Sequence, residues 1–143
     1  MLFRSRAGTT GTYPWKGGPD EACKYVNVGD IRYTDLSKTS RELHCDDGFA
    51  SMAPVASYPP NAFGLSDLIG NTWEWVNDCG GPESLADYPR DGVRKDTSVD
   101  CPRTRGGGSM SVAYWMHATA RGGDHPVGTR LNVMGFRVVA NAP

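Results

Sequence analysis

Asp67, Gly70, Thr72 and Glu74 fall within eight residues of one another, in the run NAFGLSDLIGNTWEWV at 61–76. Two carboxylates flanking a glycine turn can give side-chain and carbonyl oxygens to a single hard cation. Calcium takes roughly six to eight such oxygens and needs a loop able to bend around it. The same residues also suit an empty turn leading into a strand, with Trp73 and Trp75 as core and Glu74 solvated. Residue types alone leave both readings open.

Other chemistries find less support. The four cysteines, Cys23, Cys45, Cys79 and Cys101, form no CxxC, which argues against a zinc knuckle or thioredoxin-type motif. Three pairings are possible, and the equal spacing of 22 residues favours Cys23–Cys45 and Cys79–Cys101. Each closed loop would stabilise the fold by about 3 kcal/mol in the chain-entropy description. Four reduced thiols in a cytosolic protein are the alternative. Disulfides would mean an oxidising compartment, and the sequence displays no signal peptide that explains the route. The three histidines, His44, His117 and His125, are expected on surface or loops. No Ser-His-Asp order with a nucleophile elbow is present. RGGGS at 105–109 has no lysine and no strand–loop–helix context, so it is not a phosphate loop.

The elements that would position these residues are sparse. TWEWV at 72–76 alternates with period two, and MGFRVVAN at 134–141 reads as a final strand with Phe136 and Val138 on one face. Residues 22–30 could begin one helical turn. PPNAFG, CGGPES, RGGGS and RGGDHPVGTR read as loops. A chain of 143 residues with 38% hydrophobic residues, Gly 18 and Pro 10 suits one small, loop-rich domain over 1–143. Such a domain draws stability from metal or disulfides as well as burial. A net charge of −1 without a basic cluster gives no nucleic-acid surface, and no apolar run is long enough for a membrane span.

The 61–76 segment resembles the signature of the formylglycine-generating enzyme family, the sulfatase-modifying factors. RAGTTGTYPWKG at 6–17, ACKYVNVGD at 22–30, DDGFASMAPVASYPPNAFGL at 46–65, RGGGS at 105–109 and GFRVV at 135–139 follow the family's order. The resemblance implies an α+β, C-type-lectin-like fold, irregular and with short antiparallel strands. It implies calcium as cofactor at two places. One set is the side chains of Asp67 and Glu74 with the carbonyls of Gly70 and Thr72. The other is the side chains of Asn27 and Asp47 with the carbonyls of Val28 and Phe49. Family members usually carry a longer portion before the RAGTT segment. Its absence raises the expectation of a homo-oligomer or a partner chain, because truncation exposes strand edges.

Enzymes of the family oxidise a sulfatase cysteine with copper and oxygen, held by two cysteines shortly after the Gly-Gly-Ser motif. Two soft thiolates suit Cu(I). Alignment on Gly107-Gly108-Ser109 places those positions at Val112 and His117, and no cysteine occurs after Cys101. Copper oxidase activity is therefore not expected. A second enzymatic branch binds iron through three histidines on an additional helical domain, which has no counterpart here.

What remains is a binding scaffold. Tyr114, Trp115, Met116 and His117 read as an aromatic and sulfur-containing patch. With Asp124 and His125 they make the 110–134 surface the expected contact for a protein or small ligand. Packing of the same aromatics into the core is the competing possibility. The sequence thus reads as a non-catalytic, calcium-stabilised binding or assembly domain. A family enzyme with altered oxidoreductase chemistry is one alternative. A variable ligand-binding protein diversified by a retroelement is another, suggested by the Gly135-Phe136-Arg137 that follows the 110–134 segment.

Overall fold

Alternation of bulky and polar side chains makes Trp73–Val76 a strand, and this strand is the middle of the architecture. The computed structural model describes residues 2–33, 43–76, 103–126, 128–138 and 140. Cys79 and Cys101, and the second expected disulfide with them, lie outside these residues. Among the described residues there is a short helix α1 (Leu2–Arg6) and 3-10 turns at Pro19–Lys24 and Ala113–Met116. The strands are β1 (Trp73–Val76), β2 (Arg103–Arg105), β3 (Arg121–Asp124) and β4 (Met134–Gly135). They form one sheet in the order β3-β2-β1-β4.

Three expectations are corrected. The strands are not all antiparallel: β2 pairs antiparallel with β1 and β3, but β4 runs parallel to β1, with Trp73 beside Met134. The final strand is two residues long, and Phe136 and Val138 are 77% and 92% exposed rather than packed. Beyond Gly135 the chain is held by the side chain of Arg137 instead of by strand pairing. Finally, the RGGD of the expected 121–130 loop is β3. Glycine is needed there for space, since a Cβ on Gly122 would lie 2.0 Å from Thr104 Oγ1 and 3.1 Å from the Trp73 ring. Turn composition concealed a strand whose neighbours fill the side-chain position.

The buried core is Ala22, Val26, Val28, Leu43, Ile69, Ala113 and Met116, with the half-cystine Cys23. Most of it lies on turns and loops. Backbone bonds between those loops replace a regular sheet: Asn71 donates to Asn27, Ser109 to Asn71, Gly70 to Gly106 and Gly29 to Ser111. Buried peptide groups are thereby paired without long strands. The expected Cys23–Cys45 disulfide is present, with 5.9 Å between Cα atoms, and ties the Pro19–Lys24 turn to the acidic loop after residue 43.

Candidate functional site

The second implied calcium set, Asn27, Val28, Asp47 and Phe49, is drawn together by hydrogen bonds to the Asp47 carboxylate. Asp47 Oδ2 accepts from the Val28 amide at 2.7 Å and from Asn27 Nδ2 at 2.9 Å, and Asp47 Oδ1 accepts from the Phe49 amide at 2.8 Å. Asn27, Val28 and Phe49 are therefore gathered by their N–H groups around the Asp47 carboxylate. A second carboxylate, Asp30, is fully buried beside them and accepts from the Asp47 amide at 2.5 Å. Burial pushes the Asp47 carboxyl up to about 6, against the pull of the Val28 and Phe49 amides. The amide oxygen of Asn27 is buried and, among the described residues, meets no hydrogen-bond donor. A desolvated carboxylate and an orphaned amide oxygen fit a hard cation, which needs oxygen donors of this kind.

The signature loop differs. Glu74 is 5% exposed, so the alternative in which it is solvated does not hold. Arg137 Nε lies 2.8 Å from both carboxylate oxygens of Glu74, and the same guanidinium donates to the carbonyls of Ser66 and Asp67. Asp67, at a left-handed φ of 54°, accepts the Ala56 amide through Oδ2 at 2.7 Å. Of the four, Glu74 through its carboxylate and Asp67 through its carbonyl meet an internal cation, the Arg137 guanidinium, while the Gly70 amide donates to the Gly106 carbonyl. Among the described residues no three His, Cys, Asp or Glu side chains converge as a metal cluster. Both calcium sets rely on amide or carbonyl oxygens, which such a cluster would not include.

The face of β1 opposite Glu74 carries both Trp73 and Trp75, two residues apart. Trp73 meets Trp115 edge-on at 5.7 Å, and Trp75 meets His125 at 6.0 Å. Tyr114 packs against Trp115 at 4.9 Å and against His117 at 5.4 Å; His117 also contacts Tyr13. Tyr114, Trp115 and His117 are therefore one cluster, with His125 along the same sheet face. Asp124 is the last residue of β3, in register with Arg103. Met116 does not belong to the exposed patch, since it is 0% exposed. In a 3-10 turn the side chains at i and i+3 superpose, so Ala113 and Met116 face inward together while Tyr114 and Trp115 face out.

Between the patch and the sheet lies a cavity of about 250 Å³ lined by Trp73, Gly108, Met110, Ser111, Val112, Trp115 and Val133. Ser111 turns its hydroxyl oxygen to the Gly108 amide at 2.8 Å, fixing the glycine turn at the cavity edge. Val112 is in this lining, and His117 is in the aromatic cluster beside it. Sequence reasoning missed Arg137 as a structural cation and Trp73 as a cavity wall. The signal for the first was a lone charge in the apolar run GFRVV.

The sulfatase-modifying factor enzyme 1-like domain family matches residues 2–142. The formylglycine-generating enzyme of Bos taurus is 33% identical over 105 residues, covering 67% of this chain and 26% of that protein. The formylglycine-generating enzyme of Mycobacterium tuberculosis is 28% identical over 148 residues, covering 97% of this chain and 48% of that protein. The inactive C-alpha-formylglycine-generating enzyme 2 of Bos taurus is 36% identical over 76 residues, covering 52% of this chain and 23% of that protein. The chain spans about a quarter to about half the length of these relatives. Among solved structures, PvdO from Pseudomonas aeruginosa superposes with a TM-score of 0.74 at 26% identity, over 94% of this chain and 47% of that one. Treponema denticola variable protein 1 shares the fold, with a TM-score of 0.73 at 21% identity over 94% of this chain and 42% of that one. Matched by the family from residue 2 to residue 142, the chain belongs to the sulfatase-modifying factor, or formylglycine-generating enzyme, family.

Proposed function

We propose that this chain is a non-catalytic, calcium-stabilised binding domain that uses the 110–134 surface for a protein or small ligand. The observation that carries the proposal is the cavity beside Trp115. Valine stands in its wall where the family resemblance implies a copper-binding thiolate, and histidine stands at the second such position. Valine has no donor atom, and one imidazole is a poor substitute for two thiolates on Cu(I). The existence of a relative named as inactive is compatible with this reading. Incubation with copper, oxygen and a cysteine peptide of the sulfatase type is expected to return unmodified peptide. Aldehyde in the product would overturn the proposal.

Calcium would be held by Asn27 and Asp47 through side-chain oxygens and by Val28 and Phe49 through their carbonyls, satisfying the orphaned Asn27 oxygen. It would supply charge neutralisation for Asp47 and a cross-link between two loops. At Asp67, Gly70, Thr72 and Glu74 an ion would share Glu74 with Arg137, so the stabilising ion is assigned to the Asn27 set. A ligand near a hundred times its dissociation constant stabilises the native state by about 2.7 kcal/mol. A chelator should then lower the melting temperature by on the order of 5–10 °C. Asp47→Asn should abolish most of that response. An unchanged melting temperature would remove calcium from the account.

Trp115 is the aromatic on which the surface reading rests, and it is 36% exposed. A fully buried tryptophan costs about 3–5 kcal/mol on truncation to alanine. Trp115→Ala is expected to cost less than half of that in denaturant unfolding. A loss in the full core range would place Trp115 among the residues that build the fold rather than the residues that recognise a ligand.

A further inference from the structure

We infer that the cavity between Trp73 and Trp115 is selective for an uncharged aromatic group bearing a carbonyl oxygen. This rests on the reading of 110–134 as a recognition surface and names the ligand chemistry that it would take. Three features of the cavity converge on that class.

The first is charge. None of the seven lining residues has an ionisable side chain. A charged ligand would surrender its hydration and find no counter-charge in the wall, whereas a neutral one loses little. The second is the donor. An indole N–H can only donate, so an empty one seeks an acceptor. Among the described residues nothing accepts a hydrogen bond from the Trp73 indole. That edge of the ring faces Gly108: a Cβ there would stand 3.1 Å from Trp73 Cδ1 and 3.5 Å from Nε1. Glycine at 108 therefore keeps the N–H edge uncovered at the cavity wall. The third is shape. Trp73 and Trp115 meet at 71°, presenting an angled pair of aromatic walls, and rings prefer edge-to-face or offset partners of that kind. A volume of about 250 Å³ lies below the usual range for whole drug-sized ligands, which begins at roughly 300 Å³. It accommodates one ring with its carbonyl, not an extended cofactor.

The group could belong to a free small molecule or to a phenylalanine-like residue of a peptide. Benzamide and N-acetylphenylalanine amide represent these two sources. Benzoate and benzamidinium keep the ring size of benzamide but carry opposite charges. Titration of each into the full chain is followed by the indole N–H resonance of Trp73, assigned with Trp73→Phe, and by tryptophan fluorescence. Saturable binding of at least one neutral probe is expected, with benzoate and benzamidinium at least tenfold weaker than benzamide. Tighter binding of benzamide assigns a free small molecule, and tighter binding of the acetylated amide assigns a peptide. Val112→Phe, which fills the cavity, should weaken the neutral probes at least tenfold while melting within a few degrees of the unsubstituted chain. If Val112→Phe melts much lower, Val112→Leu replaces it with the same expectation of weaker binding. A charged probe that binds as tightly as benzamide overturns the inference. So does a Trp73 resonance that no probe moves, or one that moves equally in the filled variant. The proposed function fails separately, through aldehyde formation on the cysteine peptide, an assay in which none of these probes takes part.

Discussion

Arg137→Ala is expected to destabilise the chain by about 3–5 kcal/mol, the cost of leaving a buried charge without its partner. Glu74 is almost wholly buried, and both of its oxygens are bonded to this one guanidinium. Two backbone carbonyls, of Ser66 and Asp67, lose their donor in the same step. In a chain of this size the melting temperature should fall by on the order of 10 °C. Arg137→Lys should recover only part of the loss, because an ammonium cannot span a carboxylate and two carbonyls as a planar fork can. Adding Glu74→Gln to Arg137→Ala should restore stability by removing the stranded charge. A loss below about 1 kcal/mol for Arg137→Ala would show that water screens the pair as it screens a surface ion pair. The signature loop would then owe its shape to its own turns.

The second large effect is expected at Gly70. Its φ is +80°, and a Cβ there would lie 2.4 Å from the carbonyl oxygen of Asn27 and 3.0 Å from Val26 Cβ. The nearest obstacle is backbone, so no rotamer change relieves it. The Asn27 carbonyl also accepts the Asn71 amide at 2.9 Å, so displacement breaks an inter-loop bond. Left-handed strain costs an L-residue about 1–2 kcal/mol, and overpacking adds about 1–3 kcal/mol. Gly70→Ala should therefore lose about 3 kcal/mol or more in denaturant unfolding. Gly48→Ala is the control. It has a similar φ of +93° but open space around the new methyl group, so only the strain cost is expected. Equal losses at the two positions would refute the steric account. Gly70 packs on the residue that presents the orphaned Asn27 oxygen, so its substitution should also weaken any calcium response.

Local chemistry decided a definite part of this protein. Alternating tryptophans around Glu74 were enough to place a strand, since period-two patterning reports a two-sided element directly. Equal cysteine spacing pointed to the Cys23–Cys45 bond that the structure contains. Ordered motifs from Arg6 to Val139 were enough for the family, because several short matches in one order do not depend on any contact being known. The absence of a thiol after Cys101 is a property of the sequence alone, and it carries the expectation against copper chemistry.

Other features depend on residues far apart in the chain. Arg137 reaches Glu74 across 63 positions, and nothing near either residue indicates the pairing. The direction of β4, parallel to β1, depends on the path between them and not on the two residues that pair. RGGD is a strand through its pairing with β2, where Gly122 leaves room for Thr104 and Trp73, and glycine-rich composition alone reads as a turn. In AYWM, the 3-10 geometry sorted Met116 into the core and Tyr114 and Trp115 toward solvent, a division that residue types cannot make when all are apolar. Hydrophobic pattern fixes elements where the period is strong. In a fold made mostly of loops, the sites are set by long-range hydrogen bonds and steric fit, which only the assembled chain brings into contact.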